Sequence, residues 1–206
     1  AGAAAMTDVL AATKEGIARA AGLLAEGQIV AFPTDTVYGV GVAASRGDRL
    51  PAVFDLKHRP PDKLIPILVA GLDQVTAAGW NADARAHRLS ERFWPGALTL
   101  VIGNAAGATQ AFRAPNHLVA LELIRLAGPL LATSANRSSE PDTLGADEVL
   151  IAFATQQDDL AAVLDGGPVP GGLASTVIDL SVSPARVLRE GPISPAMLAE
   201  VVDLAS

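Results

Sequence analysis

Half of the 206 residues are hydrophobic and 18% are charged, a composition that excludes a disordered chain. The sequence contains no cysteine, which excludes disulfides and thiolate metal sites, and no apolar run reaches the roughly 18–20 residues of a membrane helix. A net charge of −7 argues against sequence-independent binding of nucleic acid, because such binding needs a positive surface. We therefore expect a soluble cytoplasmic protein.

The first predicted elements are a helix and a strand that lead into a polar loop. Thr13 can cap a helix that runs to residue 25 and ends at Gly27, and a β-rich run follows at 28–32. Three small polar side chains then precede two glycines in the loop 33–41. Such a loop can approach a ligand closely, although an ordinary strand-to-turn link explains it equally well. The helix is predicted to turn Ile17, Ala20, Ala21 and Leu24 inward.

A basic turn at 57–63 stands out in this acidic chain. It contains two of the three lysines, Lys57 and Lys63, with Arg59 between them. Two consecutive prolines stop the preceding helix and stiffen the turn. A solvated charged turn is the ordinary interpretation, but the concentration of lysine and the rigidity favour a site for a polyanion.

The short helix before this turn is predicted to carry Lys57 on its apolar side. Asp48 can cap the helix, whose apolar face is Leu50, Val53 and Phe54. Lys57 continues that face in the last turn, where a cation meets the negative end of the helix. A buried strand is predicted to follow at 64–70.

Helices and strands alternate through the middle of the chain. Helices are predicted at 73–78 and 82–93, and strands at 97–102 and 110–113. Arg113 ends the second of these strands. Asn116 is expected to cap a helix that runs to residue 127 and closes at Gly128, with Leu118, Leu121 and Ile124 facing inward.

An apolar strand at 130–133 runs directly into a polar segment that contains Ser134 and Asn136. Polar residues at the carboxyl end of a buried strand are where open α/β sheets hold ligands, and turn chemistry is the plainer explanation. The later elements are predicted to be a helix at 147–153, strands at 160–164, 175–180 and 186–189, and a last helix opened by Ser194-Pro195. The Gly- and Pro-rich segment 165–172 is either a flexible lid or a linker.

Interleaved strands and helices predict one α/β domain over residues 6–206, with a mixed sheet because several β-runs adjoin. Residues 1–5 are expected to be a remnant of cloning. No P-loop, dinucleotide-binding or nucleophile-elbow motif occurs. The remaining polar segments fall at strand ends: 33–39, 57–63, 113, 134–136, 175–176 and 189. Brought together, their cations and hydroxyls suit a phosphate-bearing ligand and a second, small polar substrate.

Five of these segments resemble the YrdC/Sua5 family of threonylcarbamoyl-AMP synthases in order and spacing. They are Pro-Thr-Asp-Thr-Val-Tyr-Gly at 33–39, Lys57-x-Arg59-Pro60, Ser134-x-Asn136, Ser175-Thr176-Val177 and Arg189-Glu190-Gly191. The resemblance spans about residues 13 to 194. It implies a single α/β (α+β) domain in which helices flank a twisted mixed sheet with a large basic cavity, in the short form that lacks an additional C-terminal domain.

The resemblance also implies a reaction. L-Threonine, bicarbonate and ATP would give L-threonylcarbamoyladenylate and pyrophosphate, a nucleotidyl transfer that begins the t6A modification of tRNA at position 37. Mg²⁺ would bridge the phosphates of ATP, with few protein ligands. The product would pass to a tRNA threonylcarbamoyl transferase complex.

Residue roles follow from the same resemblance. The catalytic set would be Lys57, Arg59, Ser134 and Asn136. Residues that bind ATP would be Lys57, Arg59, Lys63, Thr109, Ser134, Asn136 and Arg189. Residues that hold L-threonine would be Thr34, Thr36, Arg113 and Ser175, with Arg113 pairing with the carboxylate.

Three positions depart from the family pattern, and other functions stay open. Leu64 replaces a common proline, while His58 and Ser139 stand where glycine is frequent; serine would be strained there if the position needs a positive φ. The main alternative is a YciO-like paralogue or a carbamoyl-adenylate-forming domain, which would differ at Thr36, Arg113 and Ser175. An RNA-binding module is a further alternative, which the charge disfavours.

Overall fold

The computed structural model describes residues 6–60, 65–155 and 159–205. Within these ranges one mixed sheet contains ten strands: β1 (Asp8–Ala11), β2 (Ile29–Pro33), β3 (Tyr38–Ala43), β4 (Ile67–Leu68), β5 (Leu98–Gly103), β6 (Thr109–Arg113), β7 (Leu130–Ser134), β8 (Leu160–Asp165), β9 (Thr176–Asp179) and β10 (Arg186–Arg189). The spatial order of the strands is β1-β8-β2-β3-β7-β4-β6-β5-β9-β10. The predicted α/β class and mixed sheet are therefore confirmed.

Helices flank the sheet, and three apolar clusters fill the space between them. The helices are α1 (Lys14–Ala25), α2 (Leu50–Lys57), α3 (Leu72–Ala77), α4 (Ala84–Phe93), α5 (Leu118–Ala127), α6 (Ala146–Ala152) and α7 (Pro195–Ala199), and a 3₁₀ helix at Ala44–Arg49 precedes α2. The first cluster lies between α1, α5 and the sheet; the second involves α4, β5, β6 and α7; and the third involves α2, α6 and β3.

Helix α1 shows how local sequence sets an element. The Thr13 side chain accepts a hydrogen bond from the Gly16 amide at the first turn, and Gly27 has a φ of 80° just after the last turn. The four side chains predicted to face inward are the four buried ones, Ile17, Ala20, Ala21 and Leu24. A cap, a 3.6-residue period and a terminal glycine were sufficient to predict this helix.

Ser194 caps α7 as predicted, but two other capping predictions were wrong. Asp48 lies in the 3₁₀ helix and accepts a hydrogen bond from Arg46, so α2 begins without a side-chain cap. Asn116 does not cap α5, whose first residue, Leu118, is 84% exposed instead of inward. A capping residue type one or two positions from the true boundary can bond elsewhere, and propensity does not locate that boundary.

Three strand predictions also need correction. The predicted loop 33–41 is shorter, because residues from Tyr38 onward belong to β3. The predicted strand 64–70 pairs only over Ile67–Leu68, and Leu64 lies outside the described residues. The prediction missed β1, an edge strand whose largely exposed side chains lack the alternation that marks a half-buried strand.

Strand β3 lies in the middle of the sheet and needs glycine where β7 passes closest. A Cβ built on Gly41 would lie 2.1 Å from the carbonyl oxygen of Leu131. Gly39 pairs with Ser134 in the same antiparallel ladder. This register brings the end of β7 beside the start of β3, and therefore beside the polar loop that precedes β3.

We expect Gly41→Ala to lower the free energy of unfolding by about 1–3 kcal/mol or more, because the new methyl group forces β3 and β7 apart. Gly22→Ala is the matched control: Gly22 lies in α1 and a Cβ there meets nothing within 4 Å, so we expect a gain of about 0.5–1 kcal/mol. Urea unfolding of both variants measures the two effects. If both variants changed the free energy of unfolding by the same amount, the approach of β3 to β7 would not be tight.

Candidate functional site

A cavity of about 430 Å³ lies over one face of the sheet. Seven of the predicted site residues line it: Thr34, Thr36, Arg59, Arg113, Ser134, Ser175 and Arg189. In β6 the lining residues are Ala111 and Arg113, two positions apart, which is the spacing of side chains on one face of a sheet. Apart from Arg59, these residues lie at or beside strand ends, as the sequence predicted, and the ends meet over one cavity.

The loop at 34–37 is both a tight turn and part of the cavity wall. The Thr34 hydroxyl donates to the carbonyl of Val37 (2.6 Å) and accepts from the amide of Thr36 (3.2 Å). Farther along the chain, the amide of Gly171 donates to the carbonyl of Thr36 (2.8 Å). The stretch is thus a hydrogen-bonded turn whose side chains line the cavity. Its contact with a ligand stays a prediction.

Arg113 is held from behind by Asp35. Its Nη2 lies 2.6 Å from the Asp35 carboxylate, and its Nε donates to the carbonyl of Gly96 (3.1 Å). Only 12% of the Arg113 side chain and 16% of the Asp35 side chain are exposed. The carboxylate offsets the cost of burying the guanidinium, and the remaining N–H groups can bind an anion in the cavity.

Ser175, which the resemblance assigns to L-threonine, contacts Arg189, assigned to ATP, and Thr99, which has no assigned role. Its hydroxyl lies 2.7 Å from the Thr99 hydroxyl, and Nη2 of Arg189 donates to it (3.2 Å). Nε of Arg189 also donates to the carbonyl of Ser175 (3.0 Å). A Cβ on residue 191 would lie 2.4 Å from the carbonyl oxygen of Ala174. This lack of space explains the glycine of the Arg189-Glu190-Gly191 motif.

Lys57 occupies a different position from the other predicted cations. The residue is 1% exposed and lies outside the lining set of the described cavity. Its ammonium group donates to the backbone carbonyls of Ser134 and Asn136 and lies 3.4 Å from Oδ1 of Asn136. Burial and the neighbouring charge of Arg59 lower the pKa of Lys57 to about 8, and Asp142 opposes that shift.

The segment after β7 turns sharply at Ser139, which has a φ of 70°, and the end of α2 turns at His58, with a φ of 50°. Both are the positions where the family pattern prefers glycine. The condition under which serine would be strained is therefore met. The helix α2 ends at this left-handed His58, two residues before the prolines that were expected to stop it.

Besides Lys57, three predicted residues lie away from the cavity wall or outside the described residues. Asn136 is buried behind the wall, where its Nδ2 donates to the carbonyl of Glu140 (2.6 Å). Thr109 is exposed at the start of β6, roughly 13 Å along the strand from Arg113 at ordinary strand rise. Lys63 lies outside the described residues. The roles assigned to these residues stay predictions.

The sequence missed four residues of the site. Thr99, Thr133 and Asp142 line the cavity, and Asp35 holds Arg113. The sequence signal that could have indicated Thr99 was a polar side chain within an otherwise apolar strand. Nη1 of Arg59 lies 3.4 Å from the Thr133 hydroxyl, a pairing across 74 positions of sequence that no local pattern indicates.

The segment 165–172 is attached to the site by its backbone. The Tyr38 hydroxyl donates to the carbonyl of Gly167 (2.7 Å), and the amide of Val169 donates to the carbonyl of Leu144 (2.9 Å). Gly172 then lines the cavity. A lid and a linker both stay predictions for this segment.

Comparison with known proteins identifies the family. The family model for Sua5/YciO/YrdC proteins, described as "Telomere recombination", matches residues 22–191. The chain belongs to this family. A relative from Mycobacterium tuberculosis is 38% identical over 202 residues, covering 93% of this chain and 92% of the relative. A Bacillus subtilis relative named threonylcarbamoyl-AMP synthase is 37% identical, covering 96% of this chain and 59% of the relative.

Solved structures of the family share the fold. The crystal structure of Pyrococcus abyssi Sua5 complexed with L-threonine has a TM-score of 0.86 and 33% identity, covering 97% of this chain and 63% of that one. This chain thus spans about 60% of the length of the Bacillus and Pyrococcus proteins. Escherichia coli YciO shares the fold at 20% identity, with a TM-score of 0.77 over 91% of this chain and 97% of YciO.

Two negative findings apply to the parts of the chain that the structure describes. No group of three or more His, Cys, Asp or Glu side chains there could hold a metal ion. None of the helices in those ranges is long and apolar enough to cross a membrane.

The lowered pKa of Lys57 predicts a specific pH dependence of stability. In the folded protein Lys57 loses its proton near pH 8, whereas in the unfolded chain it keeps the proton up to about pH 10.5. The unfolded state therefore binds more protons in this window, and the unfolding free energy rises with pH. Relative to Lys57→Met, the wild type should gain about 2 kcal/mol between about pH 7.5 and about pH 9.5.

Urea unfolding of both proteins at the two pH values measures this difference, and all other titrating groups cancel. Lys14→Met at an exposed position of α1 is the control and should show no such trend. A flat difference for Lys57→Met would mean that the Lys57 ammonium is not buried as described.

Proposed function

We propose that this family member is a threonylcarbamoyl-AMP synthase that acts on L-threonine, bicarbonate and ATP. The observation that carries the proposal is the content of the cavity, where three arginines (Arg59, Arg113, Arg189) converge with threonine and serine hydroxyls in an otherwise acidic protein. Relatives of this chain carry that name, and one solved neighbour is a complex with L-threonine.

The chemistry requires such a site. The threonine amine and bicarbonate first form a carbamate with loss of water. A carbamate oxygen then bonds to the α-phosphorus of ATP while the bond to the β-phosphate breaks and pyrophosphate leaves. Carbamate and triphosphate are both anions, so fixed cations must lower the charge repulsion and stabilise the leaving group.

The threonine end of the cavity is assigned to Arg113, Thr34, Thr36 and Ser175. Asp35 already engages one Nη2 donor of Arg113, which leaves Nη1 and the rest of Nη2 to bind a carboxylate in a bidentate manner. The hydroxyls of Thr34 and Thr36, 3.2 Å apart, are suited to the hydroxyl and amine of the amino acid.

The nucleotide end is assigned to Arg59, Arg189 and Ser134. Arg189 reaches Ser175 directly, so a phosphate on Arg189 and an amino acid on Ser175 would lie in contact, as the transfer requires. Mg²⁺ would be supplied with ATP as part of the substrate and would offset the charge of its phosphates. Asp142 is the carboxylate among the described lining residues and is suited to face that ion.

The alternative of a YciO-like or carbamoyl-adenylate-forming paralogue is less well supported. Thr36, Arg113 and Ser175, the positions expected to differ in a paralogue, all line the cavity. The likeness to YciO, at 20% identity, establishes the common fold alone. We further propose that the adenylate passes to a tRNA threonylcarbamoyl transferase complex in the cytoplasm.

Pyrophosphate release from ATP, with each cosubstrate omitted in turn, tests the proposed reaction. We expect release that needs both L-threonine and bicarbonate, and a nucleotide product with the mass of threonylcarbamoyladenylate. Release without threonine would assign the enzyme to a paralogue of different substrate. Tight ATP binding with no release under any combination would contradict the synthase activity.

Arg113→Gln should raise KM for L-threonine by about 10–100-fold while KM for ATP changes little, because a charge-assisted pair to the carboxylate contributes about 1.5–3 kcal/mol. The double variant Asp35→Asn/Arg113→Gln is needed beside it, since the single change leaves a buried carboxylate unpaired. Arg189→Gln is the matched comparison and should raise KM for ATP instead. The same KM shifts in both arginine variants would contradict the assignment of two ends.

A further inference from the structure

The ammonium group of Lys57 lies beneath the proposed active site, not in it. Only 1% of the residue is exposed, and its three nearest acceptors are the carbonyl oxygens of Ser134 and Asn136 and the amide oxygen of Asn136. A lysine ammonium has three N–H donors and no acceptor. The three N–H donors of Lys57 therefore match the three acceptors on Ser134 and Asn136.

The segment that Lys57 holds is fixed at several further points. At its centre, the Ala135 amide donates to the carbonyl of Tyr38 (2.7 Å), and the Ala135 carbonyl accepts from the Thr143 hydroxyl (2.9 Å). The Ser138 amide donates to the carbonyl of Lys57 itself (3.0 Å). The end of α2 thus contacts the segment 134–138 through both its backbone and its lysine side chain.

Lys57 and Arg59 lie on the same turn but on opposite sides of the cavity wall. Arg59, two positions after Lys57, lines the cavity, and so does Ser134, whose carbonyl Lys57 binds. Because Lys57 binds the carbonyls on either side of Ala135, it fixes the peptide groups that determine where the Ser134 hydroxyl points. Loss of the ammonium would remove a donor from both carbonyls, and the segment would rearrange to satisfy them.

We propose that Lys57 is a positioning residue, which acts on the reaction by holding the Ser134–Asn136 turn and does not contact the phosphates of ATP. This inference rests on the proposed synthase function, because the turn forms the nucleotide end of that site. The direct cationic contacts to phosphate then belong to Arg59 and Arg189, which line the cavity.

A double-mutant cycle between Lys57 and Ser134 tests the proposal. Lys57→Met and Ser134→Ala should each lower kcat by about 10–100-fold, and Lys57→Met should leave KM for ATP within about threefold. If Lys57 acts through Ser134, the double variant should lose less than about threefold beyond the worse single variant. Losses that multiply would show two independent contacts and overturn the proposal. Lys14→Met should match the wild type.

A second measurement keeps Lys57 and Ser134 intact, so it does not depend on how the variants at those two positions fold. The sequence contains only three lysines, so ¹³C labelling of lysine gives few signals, and Lys14→Met removes the one from α1. The pKa of Lys57 is titrated with and without saturating ATP in the absence of threonine. The titration is done in Arg59→Gln as well, because ATP bound to Arg59 would offset the charge that lowers the pKa of Lys57. In that variant a shift below about 0.3 pH units supports the positioning role, whereas direct contact with phosphate should raise the pKa by about one unit or more.

The outcomes separate this inference from the proposed function. If pyrophosphate release does not need threonine and bicarbonate, the function fails while the titration still reports whether Lys57 meets phosphate. If release behaves as expected but the losses multiply or the pKa rises with ATP, the function stands and Lys57 is a phosphate ligand. Failure of ATP to saturate the protein in calorimetry would contradict the nucleotide site itself.

Discussion

The antiparallel pairing of β3 with β7 is the constraint on which the site depends. Gly39 of β3 lies opposite Ser134 of β7, so the loop before β3 and the turn after β7 are neighbours across the sheet. The first carries the threonine hydroxyls and the second carries Ser134 and Asn136. The close approach of the two strands requires glycine at 41, and it brings together two polar segments separated by about a hundred residues of sequence.

The cations in and beside the cavity, whether buried or exposed, are paired with acceptors that the protein itself supplies. Arg113 is paired with Asp35 and a carbonyl, Lys57 with carbonyls and an amide oxygen, and Arg189 with the backbone and hydroxyl of Ser175. These contacts offset the cost of removing charge from water and fix each group before a ligand arrives. A preorganised cation loses little free energy to rearrangement when an anion binds, which is how fixed charges promote phosphoryl chemistry.

The two left-handed residues show that the site also tolerates local strain. His58 ends α2 immediately after Lys57, and Ser139 turns the chain after the segment that Lys57 holds. Left-handed backbone costs an L-residue roughly 1–2 kcal/mol. The hydrogen bonds between Lys57 and the segment 134–138 lie between these two turns, and they are the interactions available to offset that cost.

The sequence by itself determined the class of fold, most helices and strands, and the family, because these depend on hydrophobic period, turn residues and motif spacing, which are local properties. Caps failed where the boundary moved by a residue or two, as at Asp48 and Asn116. The sequence placed Lys57 on the apolar side of its helix, where the structure buries it. Only the tertiary structure decided that its ammonium bonds the carbonyls of Ser134 and Asn136 and that Asp35 pairs with Arg113. Motif spacing states which residues occur together, but burial and pairing across distant strands determine which of their atoms can meet a ligand.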